Sequence, residues 1–319
     1  MKKIIFVFII LCFTPTLYAE LPDKVKVGKY VENSTWTNDY LSKTLLWEIL
    51  QNPTQPKVLA VEVTAERQPA LFTPAAPQIA ENVAMYISSA WNEWRTKANY
   101  FLPKEYQIPF LHIVNAADEN NKEVLQENVN IAYPVLINPD WHKDAVGRAG
   151  YWEDGSRSSM FLPILRNIEI VFAVKNEAEK AKDEFARQEL NHEADVYLGK
   201  YQHQAESMVM NQFNISNKAV KKFLPEQNIL SWHEYTSDSR LSRIIRAVIT
   251  HEFGHHLGLS HGDEHTIMAR YVNERHAATH VTDKDGQRLA VLACYVYNNQ
   301  PNTNKQKPCE PYQKAHKRK

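Results

Sequence analysis

Residues 251–261 read His-Glu-Phe-Gly-His-His-Leu-Gly-Leu-Ser-His, and no other stretch restricts the possible folds of this chain so tightly. The pattern is H-E-x-x-H-x-x-G-x-x-H, three imidazoles and one carboxylate at fixed spacing. On a helix, residues four apart lie about 40° apart around the axis and ~6 Å along it, so His251 and His255 share one face. Glu252 sits beside that face. Gly258 lets the chain leave the helix at positive φ, which brings His261 back as a third ligand that helical periodicity would place elsewhere. Three neutral imidazoles leave a tetrahedral Zn²⁺ one open position, the mark of a catalytic site rather than a structural one. At this chain's composition the full pattern arises by chance on the order of 10⁻⁵ times per sequence, so incidental clustering is set aside.

A carboxylate one residue after the first histidine suits metal-assisted hydrolysis. Glu252 is the candidate general base, taking a proton from a water at the metal and passing it to the leaving group. His256, about 100° further around the helix than His255, is left out of the site.

These residues resemble the metzincin clan of zinc endopeptidases, in which the motif is followed by a methionine-containing turn beneath the metal. Thr266, Ile267, Met268 and Ala269 look like that turn. The short gap from His261 to Met268, and the Leu257-Gly258-Leu259 phrase, are most similar to the matrixin (matrix metalloprotease-like) branch. The likeness is specific over about residues 238–272. It implies an α+β fold, with a twisted mixed sheet packed on the active-site helix and a small lower lobe after Gly258. It also implies one catalytic Zn²⁺, protein or peptide substrates, and a Met268 that packs under the ligands without touching the ion.

Several residues depart from that pattern. The Gly-rich loops with Asp and His ligands that matrixins place ahead of the active helix have no counterpart, so a second zinc or a calcium has no support. His192, Asp195 and His203 read as helix surface, and His265, His276 and His280 as loop surface. No cysteine lies between Cys12 and Cys294, so a pro-segment cysteine cannot keep the enzyme latent. Tyr271 comes three residues after Met268, one later than the metal-contacting tyrosine of astacin- and serralysin-like members, and is a candidate for transition-state contact. Glu274 falls where thermolysin-like enzymes take their third ligand, but Gly258, His261 and Met268 favour His261. A catalytically inactive zinc-bearing protein that binds a peptide or a surface is the alternative function; the intact Glu252 speaks against it.

The rest of the chain sets the context. Lys2 and Lys3, the apolar run Ile4 to Phe13 and the Leu17-Tyr18-Ala19 site make residues 1–19 an export signal, hence a secreted or periplasmic protein. No other segment approaches ~20 apolar residues, so no stable membrane insertion is expected after cleavage. Basic and acidic residues number 37 each, which gives no electrostatic case for binding nucleic acid. Cys294 and Cys309 are fifteen residues apart and form either a disulfide clipping the tail to the last helix or two free thiols.

Residues 20–55 are polar, lack a clear period and end in prolines, reading as an N-terminal extension or pro-segment. The catalytic domain is expected over 56–298, with a helical insertion at about 175–210 and a basic tail at 299–319. Period-2 alternation predicts strands at 58–63, 110–114, 129–137 and, most strongly, 168–174. Apolar residues at helical spacing predict helices at 78–98 and about 239–257. In the latter, Leu241, Ile244, Ile245 and Val248 form a stripe that puts the ligands on the core-facing side. The 175–210 stretch reads as one long helix or a helix pair. Thr282 with Asp285 caps a last helix at 286–297, whose buried side is Leu289, Leu292 and Ala293.

Overall fold

The computed structural model describes residues 42–68, 71–137, 147–151, 158–213, 240–262, 265–269, 280–300 and 308–312. The expected export signal at 1–19, residues 20–41, Tyr271, Glu274 and His276 lie outside these. Among the described residues the chain is α+β, with seven helices and one mixed sheet of six strands.

The sheet grows around its longest strand, β1 (Lys57–Gln68). One side of β1 pairs in parallel with β4 (Val129–Ile137). The other side is shared by β3 (His112–Asn115), parallel, and β2 (Leu71–Pro74), antiparallel. Beyond β4 come β6 (Ser158–Phe161), parallel, and β5 (Arg148–Tyr151), antiparallel, so the order is β2-β1-β4-β6-β5. Register decides which face is core. Leu59, Val61, Val63 and Ala65 lie opposite Ile131, Tyr133, Val135 and Ile137, and all eight are buried. Because side chains alternate with period 2, a slip of one residue would turn this whole set to the opposite face.

Helix α2 (Pro77–Asn99) covers that face. Pro77 suits its first turn, where no amide partner is required. Its buried stripe is Ile79, Val83, Ile87, Ala90 with its neighbour Trp91, Trp94 and Ala98, a helical spacing of three or four residues along one face. Trp94 reaches further: its indole N–H donates to the carbonyl of Thr250 at 2.9 Å, tying α2 to the motif-bearing helix.

Two expectations change. Residues 168–174 are not a strand but part of helix α4 (Arg166–Lys180), entered through a 3₁₀ turn at Pro163–Leu165. The buried residues are Ile164, Leu165, Ile168, Val171 and Phe172, a helical spacing. Ile170 and Val174, which made the alternation look strand-like, are only half-buried. Glu169 adds a reason for the helix: its buried carboxylate accepts the amide of Ala76 at 3.1 Å, satisfying an orphan donor at the start of α2. Helix α5 (Glu184–Phe213) follows α4 after a short break, so the stretch read as one helix or two is a pair.

The second change concerns the N-terminal stretch. Helix α1 (Leu45–Leu50), inside the 20–55 segment, buries Leu45, Leu46, Ile49 and Leu50 in the common core. Thr44 caps it, its hydroxyl accepting the amide of Trp47 at 3.3 Å. Lys57 closes the other end, its ammonium donating to the carbonyls of Ile49, at 3.1 Å, Glu48 and Gln51. The core therefore begins ahead of residue 56, and α1 is an integral part of it.

Helix α7 (Asp283–Asn299) carries the predicted capping box of Thr282 and Asp285 and buries Leu289, Leu292 and Ala293 as expected. Cys294 and Cys309 are joined by a disulfide. Asn298 reinforces the clip by exchanging two hydrogen bonds with the Cys309 backbone, at 2.8 and 3.1 Å. Besides α1, the short helix α3 (Lys122–Glu127) and strands β2, β5 and β6, of four residues each, went unpredicted, being too short to show a period.

Candidate metal centre

Helix α6 (Arg240–His256) brings the first two histidines into place. Its fully buried stripe is Ile245, Val248, Ile249, Glu252, Phe253 and His256. His251 and His255 flank this stripe and are only half-buried, rather than lying at its centre as the sequence pattern suggested. One step of 100° around the helix makes the difference: Phe253 anchors the core while its neighbours reach the surface of the site. Phe253 packs edge-on to Trp91 and Tyr133, with ring centres 6.3 and 5.7 Å away.

The helix ends as Gly258 allows. Gly258 has φ of 101°, its amide donates to the carbonyl of His255 at 2.9 Å, and the Leu259 amide donates to Gly254 at 3.0 Å. This pair of bonds is a Schellman turn, and it reverses the chain so that His261 comes back to the first two ligands. The ligand atoms of His251, His255 and His261 all lie within 4.8 Å of one another. Among the described residues no other group of His, Cys, Asp or Glu could hold an ion. His192 is exposed, and Asp195, also exposed, pairs with Lys175 at 3.6 Å.

The tautomers can be worked out from the backbone. His251 Nδ1 lies 2.6 Å from the carbonyl of Ile267, and His255 Nδ1 lies 2.7 Å from that of Leu259. A carbonyl only accepts, so each Nδ1 carries the proton and each Nε2 presents a lone pair. Those two Nε2 atoms are 3.1 Å apart. Two lone pairs held face to face repel unless a cation lies between them, and tetrahedral Zn–N bonds of ~2.0 Å put neighbouring nitrogens about 3.3 Å apart. The donor set thus fits zinc. Burial, with the neighbouring His251 and His261, also holds the His255 pKa well below the ordinary histidine value, leaving the ring neutral.

Glu252 is almost completely enclosed. Burial pushes its carboxyl pKa up, while His251, the amide of Ala149 and Arg148 pull it back down. The Ala149 amide lies on β5, so the outer strand of the sheet holds the carboxylate beside the ligands. No sequence signal pointed to that strand.

Met268 is fully buried beneath α6. Gly254, between the two helical ligands, makes room for it: a Cβ there would run into Met268 Sδ and lie 2.7 Å from Trp94. The turn itself closes with the Ala269 amide donating to Thr266 at 3.1 Å, and Gly262 donates to the carbonyl of Met268 at 2.7 Å. His265 and His280 are exposed.

Three residues missed by motif reading support the site. His256 is fully buried between strands, its Nδ1 bonded to the Tyr133 hydroxyl and its Nε2 3.1 Å from the carbonyl of Ser159. Burial lowers its pKa to about 4, so it is a neutral link from the last turn of α6 to β4 and β6. Asp285 holds the Ile267 amide, and Arg288 holds the loop of His261. Their signal was only an acid and a base one turn apart on a helix otherwise read for its cap.

The matrixin family model matches residues 164–295, a span that takes in α4, α5, α6, the methionine turn and most of α7. No curated protein and no solved structure matches the chain. With the mixed sheet, its outer antiparallel β5 and the triad carried by α6 and the loop after it, the matched segment supports a matrixin-like assignment within the metzincin clan.

Proposed function

We propose that this chain is an exported zinc-dependent endopeptidase that hydrolyses peptide bonds of protein or peptide substrates, with His251, His255 and His261 holding the ion. One observation carries the reading: two imidazoles with both Nδ1 atoms committed to carbonyls aim their Nε2 lone pairs at each other from 3.1 Å, beside a buried carboxylate. When bound, zinc supplies Lewis acidity to a water and to the scissile carbonyl.

The chain's own groups do the rest. Glu252 accepts the proton of the attacking water at its carboxylate and delivers it to the departing amine. Its enclosure raises its affinity for that proton, which favours the accepting step, and the Ala149 amide keeps it aimed. Strand β5 is the outermost described strand on that side of the sheet, so an extended substrate has an edge to pair with. The sequence of residues 1–19 supports export, and no described helix is long and apolar enough to cross a membrane.

The test uses purified protein on unfolded protein substrates, with and without a zinc chelator, alongside Glu252→Gln. Cleavage should stop in chelator and return with Zn²⁺. The Glu252→Gln protein should bind zinc yet cut at least 10²-fold more slowly, the size of a lost general base. A zinc-loaded wild-type protein that cuts nothing would point instead to the binding-protein alternative.

A further inference from the structure

We propose that Arg288 is a positioning residue for the third metal ligand and sets the zinc affinity of the triad through the backbone that carries His261. His251 and His255 are held by a helix, but His261 sits beyond it, in the loop between Gly258 and the single bridge of Gly262 to Ala269. Arg288 projects from α7 into that loop and is 5 % exposed. Its Nη2 donates to the carbonyl of Ser260 at 2.9 Å, to Ser260 Oγ at 3.3 Å and to the carbonyl of His261 at 3.3 Å.

These contacts fall on both sides of one Cα. The Ser260 carbonyl belongs to the peptide plane before His261, and the His261 carbonyl belongs to the plane after it. The second plane is fixed again at its other end, where the Gly262 amide donates to Met268. Two anchored planes fix φ and ψ of His261, and so the direction of its Cα–Cβ bond. A planar guanidinium is suited to this because its donors keep a set spacing, whereas an ammonium is one mobile point.

The inference rests on the triad being a zinc site, and the measurement separates the two ideas. Zinc affinity is read by competition with a chromophoric chelator for wild type, Arg288→Met and Arg288→Lys, with the visible spectrum of the Co²⁺-loaded proteins beside it. A folded Arg288→Met should bind zinc 10- to 100-fold more weakly, the usual range for losing a group that orients a ligand, with altered Co²⁺ bands. Arg288→Lys should recover part of the loss. A folded Arg288→Met with wild-type affinity and spectrum would overturn the proposal. Should that variant not fold, Arg288→Lys decides alone: weaker zinc binding supports the role and unchanged binding overturns it. A wild-type protein that takes up no stoichiometric zinc would instead sink the metal-site reading beneath it.

Discussion

Asp285 accepts the backbone amide of Ile267 at 2.9 Å, and it does so with the same oxygen that caps its own helix. The carbonyl of Ile267 in turn meets His251 Nδ1. One buried carboxylate thus links the start of α7, the methionine turn and the first ligand.

Replacing it should uncouple all three. Asp285→Ala removes a charged acceptor from three donors, which at ~1–3 kcal/mol for each buried group left without its partner predicts a loss of several kcal/mol. Urea unfolding would show it as a lower midpoint at an unchanged slope. Stability equal to wild type would mean that water replaces the carboxylate without cost.

Tyr133 and His256 make the corresponding link on the sheet side. Tyr133→Phe takes away the hydroxyl that meets His256 Nδ1 while keeping the ring against Phe253. The expected cost is about 1–3 kcal/mol, since a buried ring nitrogen loses a donor. A melting temperature unchanged from wild type would contradict it.

The third ligand can be tested against its rival. His261→Ala should lose zinc, because two imidazoles remain, whereas Glu274→Ala should keep it. Zinc content after dialysis gives the answer, and the opposite pattern would place this site in the thermolysin-like scheme. Metal loss should also lower stability, since a ligand at a thousand times its Kd adds about 4 kcal/mol to the folded state.

Helix α1 makes a prediction about processing. Truncation to residue 56 removes Leu45, Leu46, Ile49 and Leu50 from the core, each worth ~1.5–3 kcal/mol when fully buried. Thr44 also packs on Gly258, and the Trp47 carbonyl accepts Gln300 at 3.2 Å. A protein beginning at 42 should therefore melt cooperatively and one beginning at 56 should not. A 56–319 fragment as stable as the full chain would show that α1 is dispensable.

Reduction of the Cys294–Cys309 bond releases the tail from α7. For a loop of fifteen residues, chain entropy predicts about 3 kcal/mol, so the double Cys→Ala variant should unfold at lower denaturant. An identical midpoint would mean that the Asn298 contacts hold the tail unaided.

The candidate metal site was legible because its chemistry is written in local spacing. His251, His255 and Gly258 belong to one helix and its cap, where 3.6 residues per turn and a positive φ settle geometry without any distant partner. The same held for α2, α7 and the strands flanking the core, whose long periodic runs leave little choice. Over 168–174 that reasoning failed. A run of β-branched residues satisfies both periods in a short window, and packing of Val171 and Phe172, with Glu169 reaching Ala76, selected the helix.

Only the tertiary structure could decide what depends on residues far apart in sequence. Thr44 against Gly258, Tyr133 on His256, the Ala149 amide on Glu252 and Arg288 on His261 each join segments 27 to 214 positions apart. Hydrogen bonds and close packing act over a few ångströms and are indifferent to chain distance. The candidate ligands could be read from the sequence; what holds them in place could not.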